Sequence, residues 1–180
     1  MPHYIAFLRA INVGGHVVRM ERLRLLFEEL GFARVETFIA SGNVVFESSS
    51  TDAAGLEAKI GHHLQTALGY EVATFLRTDA EIRRIAKHAA FSATVLNAEG
   101  SMLYVVFLPR EPVAAAHAEL MKWQSEIDAF YLHARELYWL VRRGRGESKL
   151  TAARLERVLG MPATVRNVNT VRRLAAKYPA

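Results

Sequence analysis

The sequence contains no cysteine. That excludes a disulfide framework, a thiolate nucleophile, an iron–sulfur cluster and a thiolate zinc site. No apolar run approaches the roughly 18 residues of a membrane-spanning helix, and the N-terminus lacks the pattern of a secretory signal. The expectation is a cytoplasmic chain with no membrane partner. Common nucleotide and hydrolase signatures are missing as well. There is no G-x-G-x-x-G and no G-x-S-x-G elbow, and Gly144-Arg145-Gly146-Glu147-Ser148-Lys149 lacks the spacer and the Ser/Thr of a Walker loop. The histidines show no metal-ligand spacing; His62 and His63 are adjacent on a helix and cannot share a face. No metal and no cofactor are expected. The acidic residues sit mostly on helix faces beside arginines, as Glu28, Glu29 and Glu81 do, and none is marked out as a general base. Whether the protein is an enzyme stays open at this level.

What is present is a globular chain. Of its 180 residues, 51% are hydrophobic and 23% charged, the balance of a folded protein and not of a disordered one. A chain of this length removes roughly 70% of its unfolded surface from water and needs no covalent staple. The net charge of +5 is unevenly placed: residues 142–180 carry 10 Lys/Arg against 2 Asp/Glu, whereas residues 1–141 carry 13 against 16. A basic end of this kind attracts nucleic acid, phosphate ligands or an acidic partner, or is simply an arginine-rich solvated surface. It is not a disordered arm, because Leu150, Leu155, Val158, Leu159, Val165, Val171 and Leu174 run through it at core-like spacing.

Hydrophobic periodicity lays out the same pattern twice. In the first half, Tyr4–Arg9 reads as a strand and Met20–Leu30 as a helix stopped by Gly31. Val35–Ala40 and Val44–Glu47 form a hairpin around Ser41-Gly42-Asn43. A helix capped at Thr51 or Asp52 runs to Leu68 and stops at Gly69, and Val72–Leu76 is the last strand. A bridging helix, Asp79–Lys87, and a loose stretch, Phe91–Ser101, follow. The second half has a strand Leu103–Leu108, a helix Glu111–Trp123 entered through Pro112, and paired strands Phe130–His133 and Leu137–Val141. It ends with a helix Glu147–Leu159, a short strand Ala163–Arg166 and a final helix Val168–Lys177. The order β-α-β-β-α-β, repeated, predicts an α+β protein of two ferredoxin-like halves in tandem, packed into one unit. The expected boundaries are 1–78, a bridge over 79–101, and 102–180. In YIAFL, VVF, LYVVFL and LYWLV both alternating sets of side chains are largely apolar, so both faces of each sheet should be covered.

Three segments carry a resemblance: Tyr4-Ile5-Ala6-Phe7-Leu8-Arg9-Ala10-Ile11-Asn12-Val13-Gly14-Gly15, Thr37-Phe38-Ile39-Ala40-Ser41-Gly42-Asn43-Val44-Val45-Phe46, and Ala163-Thr164-Val165-Arg166-Asn167-Val168-Asn169-Thr170. With Ser148-Lys149-Leu150 between them, they resemble the bacterial domain-of-unknown-function (DUF) family 1697 over nearly the whole chain. Ala10 stands where that family usually has Gly, Val168 where it usually has Trp, and Ala89-Ala90-Phe91 where it usually has Asn-Pro-Phe. The resemblance implies ferredoxin-like units and no known activity.

The topology itself places one polar cluster. If strands 1 and 3 are antiparallel neighbours, the end of strand 1 lies beside the turn between strands 2 and 3. Arg9, Asn12, Gly14 and Gly15 then meet Ser41, Gly42 and Asn43. A guanidinium, two amides, a hydroxyl and exposed glycine N–H groups suit a phosphate or carboxylate. Equally, the glycines form turns that Asn12 and Asn43 close with local hydrogen bonds. A second cluster, Arg166, Asn167, Asn169 and Thr170, opens the last helix; it is an anion site or a capping turn. Lys149 is a weaker candidate ligand.

Three readings follow. The first is a protein that binds a small phosphorylated or carboxylated molecule at these clusters. The second is a nucleic-acid-associated protein using Arg142, Arg143, Arg172 and Arg173 on phosphates. The third is an interaction module without a ligand, whose polar motifs are purely structural; a homo-oligomer is compatible with each of the three. Base stacking of the RNA-recognition kind finds little support in the first half, where strand 3 offers only Phe46 and Tyr4 and Phe7 of strand 1 point to opposite faces.

Overall fold

The first half is built on one strand. β1 (His3–Leu8) is buried from Tyr4 to Leu8. It pairs antiparallel with β3 (Asn43–Glu47) on one side and with β4 (Thr74–Thr78) on the other. β2 (Ala33–Thr37) adds outside β3, giving the order β2-β3-β1-β4. The computed structural model describes residues 1–39 and 42–179.

α1 (Met20–Glu29) and α2 (Ala53–Leu68) supply the core over one face of this sheet. Leu23, Leu26 and Phe27 from α1, and Leu56, Ile60 and Leu64 from α2, cluster with Tyr4, Ala6, Leu8, Val44, Phe46 and Leu76. Local chemistry fixes the helix ends. Asp52 caps α2 by accepting from the Gly55 N–H at 3.0 Å, and Gly69 ends it in the left-handed conformation at φ +82°. The alternate strand residues Ile5, Phe7, Val45 and Phe75 are buried just as completely.

The second half repeats the plan. α3 (Asp79–Lys87) and a one-turn helix α4 (Ala93–Leu96) lead into β5 (Ser101–Phe107), α5 (Ala114–Met121), β6 (Asp128–His133) and β7 (Glu136–Arg142). α6 (Ala152–Leu159), β8 (Thr164–Asn167) and α7 (Val168–Lys177) complete it. The strand order β6-β7-β5-β8 matches the first sheet element for element. The α+β fold of two ferredoxin-like halves expected from the sequence is the fold observed. The chain divides into two units, Met1–Ile82 and Arg83–Pro179, with the division inside α3.

In the second unit α5 and α6 cover one face of the sheet. Val106, Leu137, Trp139 and Val141 face α5 and α6 through Leu120, Leu155 and Leu159. The other set includes Leu103, Val105, Phe107, Tyr138 and Leu140, all buried. On β5 and β8 lies α7, which buries Val168, Val171 and Leu174. The Tyr138 hydroxyl donates to the Ile85 carbonyl at 3.1 Å.

Two helices start later than periodicity suggested. The helix expected from Glu111 begins at Ala114, with Val113 extended ahead of it. The helix expected from Glu147 begins at Ala152. Ser148 Oγ accepts from the Leu150 N–H at 3.1 Å, and Thr151 then provides the cap, accepting from the Arg154 N–H. The stretch 91–101, expected to be loose, contains α4, capped by Ser92. No helix among the described residues is long and apolar enough to cross a membrane.

One partly buried histidine is held away from its ordinary titration. The His88 ring stacks on His133 at 4.4 Å and lies 5.1 Å from Tyr138 and 5.4 Å from Tyr131. Burial, and then the neighbouring His133, hold the His88 imidazole below its ordinary value of 6.5. The unfolded chain therefore takes up this proton at higher pH than the folded one. The resulting stability is full above the ordinary value and is lost as pH falls through the folded-state value. Urea unfolding should show a midpoint that drops as pH is lowered from about 7 to about 5, with a shallower drop in His88→Gln; identical slopes in the two proteins would contradict the assignment.

Candidate functional site

The end of β1 does lie against the turn before β3. The Leu8 N–H donates to the Gly42 carbonyl at 2.8 Å, and Phe7 is the register partner of Asn43. Gly42 has φ +76°, and a Cβ there would sit 3.1 Å from the Ile11 Cβ and 3.2 Å from the Leu8 carbonyl oxygen. Glycine is thus required both by conformation and by close packing. Ser41, the other turn residue of the cluster, lies outside the described residues.

The two amides of this cluster face the protein's own backbone. Asn12 adopts φ +58°, and its Oδ1 accepts from the Val18 N–H at 2.8 Å, tying the glycine loop shut. Asn43 is fully buried, and its Nδ2 donates to the Phe38 carbonyl at 2.9 Å. Gly14 and Gly15 have φ of +62° and +86° with open space around them, so they serve the turn. The loop they form is exposed, with Val13 and Val17 in solvent and the His16 ring 4.0 Å from Tyr70. Arg9 is half-buried, its backbone N–H bonded to the Ala73 carbonyl at 2.9 Å.

The second cluster divides. Arg166, on β8 opposite Val105, turns inward. It is 8% exposed, and its Nη1 donates to Thr164 Oγ1 at 2.8 Å and to the Val165 carbonyl at 3.0 Å. Burial pushes its pKa down to about 10, so it remains a cation at neutral pH. Asn167 caps α7, accepting from the Asn169 N–H at 2.9 Å. Asn167 and Asn169 then line a cavity of about 290 Å³ together with Arg172, Asn97 and Ser101, over an apolar floor that includes Leu103 and Val168. Arg172 Nη1 reaches Asn169 Oδ1 at 3.5 Å. Arg166 and Thr170 are not among the residues that line this cavity. The structure therefore brings Asn167 and Asn169 together with Arg172, and assigns Arg166 to the sheet.

Lys149 is exposed and lines none of the described cavities; its carbonyl accepts from Arg154 Nη1. The loop before it is better ordered by its neighbours than its sequence suggests. Asp128, 5% exposed, accepts from Trp139 Nε1 and from Ser148 Oγ, both at 2.8 Å. Sequence reading passed over Asp128, Tyr104 and Trp139. The available signal was that both central strands of the second half, LYVVFL and LYWLV, carry aromatics, which pair only if the strands align in one register.

A model of the family described as protein of unknown function (DUF1697) matches residues 1–138. Among solved structures, that of the conserved bacterial protein SP0830 from Streptococcus pneumoniae superposes with a TM-score of 0.74 at 22% sequence identity. The match covers 98% of this chain and 98% of that one. At that identity the likeness establishes the fold alone. No curated protein matches the chain.

The buried amide at Asn43 should matter for stability before it matters for any ligand. Asn43→Ala removes the donor to the Phe38 carbonyl and should cost about 1–3 kcal/mol in urea unfolding. A change within about 0.5 kcal/mol would show that the amide does not hold this turn.

Proposed function

The chain belongs to the DUF1697 family of proteins of unknown function, and we propose that it is a cytoplasmic binding protein for a small phosphorylated or carboxylated molecule. The observation that supports this reading is the cavity at the start of α7. Asn167 at the N-cap and Asn169 in the first turn of a ten-residue helix, Arg172 one turn on, and the polar residues Asn97 and Ser101 share one space of about 290 Å³. A helix of this length carries a partial positive charge at its N-terminus, where backbone N–H groups point outward. An anion placed there gains that field and the Arg172 charge together. Leu103 and Val168 give the carbon skeleton of such a molecule an apolar floor.

The glycine loop of the first unit is not assigned to the ligand in this reading. Asn12 and Asn43 are committed there to backbone groups, the Val18 N–H and the Phe38 carbonyl. The cytoplasmic location belongs to the same proposal and is supported by the lack of a membrane-length apolar run in the sequence.

Thermal unfolding of the full-length protein tests this reading with glucose 6-phosphate, citrate and a short single-stranded oligonucleotide. A ligand at ten times its dissociation constant adds about 1.4 kcal/mol and should raise the midpoint by roughly 2–4 °C. The shift should survive Arg9→Ala and vanish in Arg172→Gln. Loss only in Arg9→Ala would move the site to the first unit. A shift with the oligonucleotide alone, fading with salt, would replace the proposal with phosphate-backbone binding. No shift with any of the three would contradict it.

A further inference from the structure

The second unit has another cavity, lined by a different set of residues from the α7 cavity. Alternation along β5 puts Leu103 toward α7 and Tyr104 toward the α5–α6 side. Tyr104 and Trp139 are register partners on β5 and β7, with ring centroids 5.5 Å apart. They form a wall of a cavity of about 690 Å³ with Val141 and Leu150. That volume lies within the roughly 300–1,000 Å³ of small-molecule sites. The opposing rim is the loop after β7, which contributes Arg143, Glu147 and Ser148.

This cavity is fixed from both sides. Trp139 cannot swing freely, because its indole N–H is held by Asp128, and the same carboxylate oxygen holds Ser148 of the loop. Arg143 Nη2 donates to the Tyr104 hydroxyl at 3.0 Å, so a guanidinium stands beside the aromatic wall. Gly146, at φ +131°, brings the loop backbone against Ile127; a Cβ there would lie 2.9 Å from the Ile127 Cδ1. Residues 142–149 carry Arg142, Arg143, Arg145 and Lys149 against Glu147, so the rim is cationic with one carboxylate.

The geometry points to a binding site for a planar aromatic ring that bears an amino donor and an anionic group, the chemistry of an adenine mononucleotide. The ring stacks on Tyr104, which is partly exposed beside the nearly buried Trp139. Arg143 meets the anion, and Glu147 accepts from the amino group. Glycine-rich phosphate loops are absent from the sequence; here the ring, not the phosphate, supplies the main contact surface.

Fluorescence of Trp139 tests this in the full-length chain. The protein has two tryptophans, and Trp123 is 40% exposed, so Trp123→Phe leaves Trp139 as the sole reporter. Adenosine monophosphate should quench it saturably, with adenosine binding about tenfold more weakly for want of the charge. Inosine monophosphate, which lacks the amino group, should also bind more weakly, and Glu147→Gln should reduce that preference. Arg143→Gln, at an exposed position, should erase the difference between adenosine monophosphate and adenosine. Tyr104→Leu should abolish quenching and Tyr104→Phe should retain it. Arg172→Gln should change none of this, so that failure here and failure of the α7 cavity are separate results. No saturable quenching by any of the three compounds in the millimolar range would overturn the inference. Quenching indifferent to both Arg143→Gln and Tyr104→Leu would overturn it as well.

Discussion

The second unit is governed by a sheet that is apolar on both faces. Leu103, Val105, Phe107, Tyr138 and Leu140 are buried on one side, and Val106, Leu137, Trp139 and Val141 on the other. Leaving any one of these side chains in water would cost about 1.5–3 kcal/mol. α5 and α6 pack on the second of these sets, and α7 lies against β5 and β8, burying Val168, Val171 and Leu174. The start of α7 is thereby pinned over β5 and β8, near α4. The cavity lined by Asn97, Ser101, Asn167, Asn169 and Arg172 is the gap left between those elements. Polar chemistry at this end follows from an apolar requirement beneath it.

A single carboxylate organises the other side. Asp128 is nearly buried and so needs partners; a buried ionised group without them costs far more than a surface one. It finds Trp139 Nε1 and Ser148 Oγ. That choice fixes the indole in the wall and the basic loop on the rim at once. Support of this kind is what the proposed ring site requires. Lys149, one residue beyond Ser148, shows the contrast: it is exposed, and no described cavity includes it.

Much of the architecture was legible in the sequence, because periodicity and stop signals act locally. Gly31, Gly69 and Gly160 end helices or their last turns at φ of +83°, +82° and +68°, as their positions implied. The bridging helix over 79–87 and the last helix over 168–177 have the limits read from the sequence. Helix starts were less legible, since Ala114 and Ala152 open helices through extended residues and caps that periodicity does not register. Side-chain direction was not legible. Asn12 and Asn43 look alike as candidate ligands, yet each spends its amide on a backbone group several residues away. Arg166 reads as a candidate anion ligand at the start of the last helix and is a buried strand residue, because the register sets it opposite Val105. Tyr104 and Trp139 meet only through that same long-range alignment.

The central claim is that ligand chemistry belongs to the second unit and that the glycine loop of the first is structural. A backbone-amide NMR titration of the full-length chain with adenosine monophosphate tests it most directly. The account predicts shifts that saturate together at residues 143–148, at Tyr104 and at Trp139, with glucose 6-phosphate moving residues 167–172 instead. Shifts concentrated at residues 9–18 and 42–43 with either compound would contradict it.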